Sequence, residues 1–95
     1  MTISHARIRT DHASDYFVRV SKDWIHDIPG LAFNDRHAVI PFPGARCELV
    51  AGEGFLDITL TANSETRAVM FEHLLAGHID SVSRGENLKY EWEFQ

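Results

Sequence analysis

The sequence predicts an α+β fold: a two-layer sandwich in which two helices pack on one face of a mainly antiparallel sheet, in the order β-α-β-β-β-β-α-β. Two long stretches carry apolar residues at helical spacing. Several short runs alternate apolar and polar residues, which is typical of strands buried on one face only. A chain of 95 residues is large enough for one core, so we expect a single domain over residues 1–95.

The first third of the chain is predicted to form a strand and a helix. Residues 3–10 alternate apolar and polar side chains, as a half-buried strand does. Asp11 is a suitable N-cap for a helix from about His12 to Ile28, and Pro29-Gly30 ends that helix. The apolar side of the helix carries Ala13, Phe17, Val20 and Trp24.

The middle of the chain is predicted to be an antiparallel meander. Turn residues separate three short apolar runs, which predict strands over residues 38–42, 45–50 and 55–62. Their inward positions are Ile40, Phe42, Cys47, Leu49, Leu56, Ile58 and Leu60. The positions between them are mostly polar, so the sheet is predicted to be apolar on one face only.

The last third is predicted to form an amphipathic helix from about Ser64 to Val82 and a strand from Leu88 to Phe94. The apolar stripe of the helix consists of Ala68, Phe71, Leu74, Leu75, Ile79 and Val82. His78 is the polar residue within that stripe. The inward residues of the strand are Leu88, Tyr90, Trp92 and Phe94, because successive side chains of a strand alternate faces.

The composition argues against two classes of partner. Nine Lys and Arg against fourteen Asp and Glu give a net charge of -5, whereas nucleic acids and anionic membranes attract cationic surfaces. We therefore expect no nucleic-acid partner. The sequence contains no secretory signal and no apolar run of bilayer-spanning length, so we expect no membrane association and a cytoplasmic location. The single Cys47 agrees with a reducing compartment.

Several short motifs are similar to those of a known family. They are Ala6-Arg7-Ile8-Arg9-Thr10, Tyr16, Trp24-Ile25-His26, Ile40-Pro41-Phe42-Pro43-Gly44, Cys47, His78-Ile79-Asp80 and Trp92. On these residues the chain resembles, along nearly its whole length, the bacterial domain of unknown function 2218 family. It departs from the family pattern at Asp23, where a histidine usually precedes the tryptophan, and at Ser81-Val82, where an arginine and a phenylalanine usually follow.

The resemblance implies a small bacterial α+β protein with no assigned activity. Members of that family are sometimes encoded beside, or fused to, flavin-dependent siderophore-interacting proteins. The resemblance therefore makes iron or haem handling the first functional class to test, with an iron-related small molecule as the ligand.

His78 is the first candidate functional residue. An imidazole on an apolar stripe must hydrogen-bond its nitrogens, because burying them unpaired costs free energy. The structural interpretation pairs His78 with a backbone carbonyl, with Asp80 or with Tyr90. The functional interpretation makes it a metal ligand, a haem ligand or a general base, since neutral imidazole binds metals and titrates near neutrality.

The other candidate residues are His26, Trp24 and Cys47. His26 is predicted to be a solvated residue near the end of the first helix, where the helix dipole stabilises a protonated imidazole. Cys47 points inward, and such a cysteine is more often a small buried hydrophobe than a nucleophile. A metal site that joins either residue to His78 would need the fold to bring them together. The sequence carries no HExxH, CxxC, EF-hand or nucleophile-elbow motif, so it identifies no metal, cofactor or catalytic group.

The outward face of the sheet is predicted to be polar. It carries His5, Arg7, Arg9, Arg46, Glu48, Thr59, Lys89 and Glu91. Apart from Phe55 at its edge, a face of this composition lacks the aromatic side chains on which sheet-based RNA binders stack bases. It could instead contact a second copy of the chain, as could a small apolar patch formed by Val18 and Ile25 on the first helix.

These observations leave three hypotheses. The leading one is a non-enzymatic accessory domain that binds a small ligand or a protein partner through His78, His26, Trp24 and Cys47. The second is a metal- or haem-dependent activity centred on His78. The third is a structural module that forms a homodimer.

Overall fold

The computed structural model describes residues 1–83 and 85–94. Over these residues the elements are β1 (Thr2–Arg9), α1 (Ala13–Ile25), β2 (Ala32–Phe33), β3 (His37–Phe42), β4 (Ala45–Gly52), β5 (Phe55–Ala62), α2 (Glu65–Val82) and β6 (Glu93–Phe94). This is the predicted order, and the predicted α+β fold is confirmed.

The strands form one antiparallel sheet in the order β2-β3-β4-β5-β1-β6. Strands β2 to β5 form the predicted meander, and β1 adds to the free edge of β5. Helices α1 and α2 contact each other, α1 packs on β4 and β5, and α2 packs on β5 and β1. No helix in the described ranges is long and apolar enough to cross a membrane.

The hydrophobic core lies between the helices and one face of the sheet. Six of the seven predicted inward residues of the meander are fully buried, and Phe42 is partly buried against the core. On β1 the buried residues alternate with exposed ones, as a strand with one covered face requires. The opposite face of the sheet therefore carries the polar side chains.

Helix α2 is rotated relative to the prediction. Leu74 was expected on the buried stripe, but it is 47% exposed, and Glu72 is buried in the stripe with Ala68, Phe71, Leu75 and Ile79. Burial of Glu72 is tolerated because the Ser4 hydroxyl on β1 donates a hydrogen bond to its Oε2 at 2.6 Å. Hydrophobicity alone favoured the leucine, whereas a long-range hydrogen bond allowed the glutamate.

Helix α1 is shorter than predicted at both ends. Asp11 was expected to be the N-cap, but the helix begins at Ala13, and the backbone N–H of His12 donates to Thr10 Oγ1 instead. The helix ends at Ile25 and not at Ile28. The backbone N–H of Ile28 still donates to the Trp24 carbonyl, which closes one last turn. The proline that follows Ile28 disfavours further helix.

The predicted strand over residues 88–94 forms a ladder only at Glu93 and Phe94, which pair with His5 and Ser4 of β1. Leu88, Tyr90 and Trp92 still pack against the core as predicted. Phe94 was expected to point inward but is 51% exposed, since it lies at the outer edge of the sheet. The segment over residues 87–92 runs beside β1 without strand hydrogen bonding.

Candidate functional site

The candidate site lies where the two helices meet. The ring of Trp24, near the end of α1, stacks on the ring of His78, near the end of α2, with a centroid distance of 4.3 Å and an interplanar angle of 16°. The aromatic contacts continue into the core, because Trp24 meets Phe42 edge-on at 5.7 Å and Phe42 stacks on Phe71 at 4.5 Å. Four rings thus form one continuous array that runs from the helix ends through Phe42 of the sheet to Phe71 of α2.

A tight turn positions Phe42 in this array. Pro43 and Gly44 connect β3 to β4, and Gly44 adopts a φ of 76°, which favours glycine. Arg67 of α2 donates from Nη1 to the Pro43 carbonyl at 2.8 Å. A Cβ on Gly44 would come within 2.8 Å of the Arg67 side chain, so glycine also permits this close contact. The motif over residues 40–44 therefore fixes Phe42, the ring that the sheet contributes to the aromatic array.

The Nε2 atom of His78 is buried and has no hydrogen-bond partner in residues 1–83 and 85–94. The nearest opposite charge is Asp23 Oδ2 at 3.7 Å, which is too far for a hydrogen bond. Burial lowers the pKa of His78, and the Asp23 carboxylate opposes this shift only in part. The imidazole is therefore neutral at neutral pH, and it faces an exposed carboxylate.

None of the three predicted partners, a backbone carbonyl, Asp80 or Tyr90, bonds to Nε2 of His78 in the described residues. The Tyr90 hydroxyl instead donates to Asp80 Oδ1 at 2.7 Å and lies 3.3 Å from the Ala76 carbonyl. Burial raises the pKa of Tyr90, and the hydrogen bond to Asp80 raises it further, so the phenol stays protonated. These contacts fasten the segment over residues 87–92 to α2.

The structure separates Cys47 and His26 from this arrangement. Cys47 lies on β4 inside the core with no exposed surface, and burial raises the pKa of its thiol. It is therefore a protonated, inaccessible side chain, as its inward position predicted. His26 is exposed at the C-terminal end of α1. Of the four candidate residues, the structure brings Trp24 and His78 into contact.

Asp23 is the residue of this site that the candidate set lacked. It directly precedes Trp24, but sequence periodicity does not show which residue of α2 it faces, because the crossing of the helices decides that. His78 and Asp23 supply two possible metal donors. No group of three or more His, Cys, Asp or Glu side chains suited to a metal ion occurs in the described part of the chain.

A second polar cluster lies near the beginning of α1. The Tyr16 hydroxyl contacts both the Ser83 carbonyl and Glu86 Oε1, and Thr10 Oγ1 donates to the same Glu86 oxygen. The hydrogen bond to Glu86 raises the pKa of Tyr16, and the hydrogen bonds that Glu86 accepts from Tyr16 and Thr10 lower the pKa of its carboxyl group. This cluster connects the end of α2 to β1 and α1, and it borders an open cleft of about 450 Å³.

These features define a small α+β protein with two helices over an antiparallel sheet and a histidine–tryptophan contact between the helices. The chain belongs to the domain of unknown function 2218 family, described as uncharacterized proteins conserved in bacteria, and it matches that family over residues 5–93. The predicted family is therefore confirmed.

The solved structures support the same fold. The NMR structure of PA4090 from Pseudomonas aeruginosa is similar to this chain, with a TM-score of 0.82 and 25% sequence identity over 98% of this chain and 96% of that one. No curated protein sequence matches the chain significantly. The comparisons thus give a family and a fold but no activity.

Proposed function

We propose that this protein is a non-enzymatic binding module that holds a small ligand at the Trp24–His78 contact. The observation that carries the proposal is the buried Nε2 of His78, which has no hydrogen-bond partner in the described part of the chain and faces the Asp23 carboxylate at 3.7 Å. Buried polar atoms are almost always hydrogen-bonded, so an unpaired nitrogen beside an exposed carboxylate favours a site completed by another molecule.

The chemistry of the two groups limits the ligand. A neutral imidazole nitrogen without its proton accepts a hydrogen bond, and a carboxylate only accepts. A matching ligand therefore brings hydrogen-bond donors or positive charge, and it reaches the buried Nε2 of His78 when Asp23 or Trp24 moves aside. The half-buried Trp24 ring offers a surface on which a planar group can stack. The family resemblance makes an iron chelate the first ligand class to test.

A metal ion bound by His78 and Asp23 is the second candidate. Metal–nitrogen and metal–oxygen bonds of about 2.0–2.2 Å allow two donors 3.7 Å apart to reach one ion. The remaining ligands would come from water or from a chelating molecule. Haem ligation fits less well, because Nε2 is covered and a porphyrin, which is far larger than a single ion, would need a larger displacement of Asp23 and Trp24 to reach it.

The first experiment is native mass spectrometry of the protein as purified without added metal, together with its visible absorption spectrum. We expect excess mass from a small ligand or an ion, and a Soret band would identify haem. The second step is a titration with ferric citrate in the Trp92→Phe variant, which leaves Trp24 as the single fluorescent tryptophan. We expect saturable quenching of the Trp24 emission, because the ligand contacts that ring.

Two variants test the site against a matched control. His78→Ala and Asp23→Asn should each abolish or strongly weaken binding, with a melting temperature close to that of the parent. Asp27→Asn changes an exposed acidic residue beyond the end of α1 and should bind normally. Large destabilisation by His78→Ala with intact binding would make His78 a core residue and overturn the proposal. A protein with no bound mass and no quenching by ferric citrate would also contradict it.

We also propose that the protein forms a homodimer and that it is located in the cytoplasm. The apolar patch predicted on α1 supports a dimer, since Ile25 is 41% exposed while Val18 is half-buried. The native mass spectrum decides this point, because a dimer doubles the observed mass. A monomeric spectrum at micromolar concentration would count against the structural module.

A further inference from the structure

A second candidate site lies on the opposite face of the sheet from the helices. A groove of about 260 Å³ runs between the end of β1 and the segment over residues 87–92, and it is lined by Arg7, Arg9, Asn87, Lys89 and Glu91. The groove thus contains three cationic side chains and one carboxylate. This composition is unusual for a chain with a net charge of -5.

The groove exists because β1 and the C-terminal segment separate there. Their ladder contains the pairs Ser4–Phe94 and His5–Glu93. Continuing this register would place Arg7 opposite Glu91 and Arg9 opposite Lys89. Like charges directly opposite each other destabilise a strand pair, so a ladder extended as far as Arg9 and Lys89 would contain an unfavourable pair. The separated strands leave their side chains around an open space.

Arg7 is held in position before any ligand binds. Its Nε and Nη2 atoms donate to the two carboxylate oxygens of Asp57 at 2.8 and 3.0 Å, and the guanidinium lies 4.3 Å from the centre of the Phe55 ring. These contacts leave Nη1 available as a donor. A cationic group that is already oriented loses less conformational entropy on binding.

Arg9 and Lys89 are exposed and form no ion pair or hydrogen bond with the side chains in residues 1–83 and 85–94. Glu91, the carboxylate of the groove, likewise has no ion pair within those ranges. Two cationic groups with unused donors therefore face each other across the groove, with the Asn87 amide beside them. An anion placed between them would remove the repulsion and accept their hydrogen bonds.

We propose that this groove binds a small ligand through a phosphate group, with Arg9 and Lys89 as the principal contacts and Arg7 as an oriented donor. The three phosphate oxygens accept hydrogen bonds from several directions, which suits donors on both walls of a narrow groove. Bridging β1 to the C-terminal segment would also strengthen the short β6 pairing. This site does not depend on Trp24 or His78, so either proposal can fail while the other holds.

The test is a titration followed in ¹H–¹⁵N NMR spectra, with inorganic phosphate in one arm and glycerol phosphate in the other. Sodium chloride at the same ionic strength serves as the reference. We expect saturable shifts at residues 7–9 and 87–93, together with slower amide exchange in β6. Tighter binding of glycerol phosphate would indicate a phosphorylated organic ligand, and equal binding would indicate that the phosphate group alone is recognised.

The double variant Arg9→Gln/Lys89→Gln should weaken binding roughly tenfold or more. It removes the charge-assisted hydrogen bonds from both walls of the groove, and the loss of one such bond raises a dissociation constant by about tenfold. The control is Lys22→Gln/Arg36→Gln, which removes the same two residue types from exposed positions on α1 and in the β2–β3 turn. Both double variants should keep the parent melting temperature. Shifts no larger than those caused by sodium chloride, or an equal loss of binding in the control, would overturn the proposal.

Discussion

Strand β1 carries one hydrogen-bonded polar pair on each of its faces, and the two pairs lie in opposite environments. Toward the helices, Ser4 donates to Glu72 at 2.6 Å with neither residue more than 9% exposed. Toward the open face, Arg7 donates to both oxygens of Asp57, and its side chain is 53% exposed. The bidentate charged pair has the better geometry, yet the single buried bond should contribute more to stability, because water competes for the exposed pair.

The two proposed sites also differ in their exposure to water. At the Trp24–His78 contact, the surrounding rings are packed and few polar atoms are available, so a ligand must fit an existing arrangement. In the groove beside β1, the cationic side chains are exposed and can adjust to a ligand. We therefore expect selective binding at the first site and salt-sensitive binding at the second.

The largest expected effect in this comparison comes from Ser4→Ala. The substitution removes the donor to Glu72 and leaves a buried carboxyl oxygen without that hydrogen bond, which should lower the free energy of unfolding by about 1–3 kcal/mol. Urea denaturation at neutral pH measures this loss as a lower midpoint at an unchanged slope.

Ser21→Ala is the matched control, since Ser21 is also fully buried but its hydroxyl has no hydrogen-bond partner in the described ranges. Removing an unpaired hydroxyl should leave stability unchanged or slightly raised. Equal losses from the two substitutions would show that the volume of the serine matters, and that its bond to Glu72 does not.

An intermediate effect is expected from the protonation of His78. Its pKa is lowered in the folded state by burial, so the unfolded chain takes up a proton at a higher pH than the folded chain does. Above the unfolded-state pKa of about 6.5, His78 is unprotonated in both states, and its titration does not affect the free energy of unfolding. As the pH falls below that value, the unfolded chain binds the proton first, and the fold is progressively destabilised. Between about pH 7.5 and about pH 5, the wild type should therefore lose more stability than His78→Gln. Urea midpoints across this range provide the measurement, and parallel curves would contradict the expectation.

Much of the fold could be predicted because it depends on local alternation and spacing. Ser4, Ala6 and Ile8 of β1 and the inward residues of β3 to β5 other than Phe42 are buried as their alternation indicates, and the family motifs identified the chain. The predictions were wrong where contacts between distant segments determine which residues are buried or paired. Glu72 displaces Leu74 from the buried stripe because Ser4 lies opposite it. The last strand pairs with β1 only at Glu93 and Phe94, although the alternation of its residues predicted a strand from Leu88.

The candidate site was less predictable for the same reason. The position of His78 on an apolar stripe made it the first candidate, but its neighbours in the structure are Trp24 and Asp23 on another helix. The expected partners, Asp80 and Tyr90, bond to each other instead. Spacing along one helix shows which side chains share a face, whereas the crossing of two helices shows which faces meet.

The smallest expected effect is that of Arg7→Gln on the open face. The substitution breaks the bidentate contact with Asp57, but Asp57 keeps His5 Nε2 at 3.5 Å and remains accessible to water. Glu72 has no comparable replacement for Ser4 in the described ranges. Thermal unfolding should therefore show a small decrease in melting temperature at low salt that disappears at high salt, because mobile ions screen exposed charges. A decrease as large as that of Ser4→Ala and independent of salt would mean that the stacking of Arg7 on Phe55, and not its charge, stabilises this face.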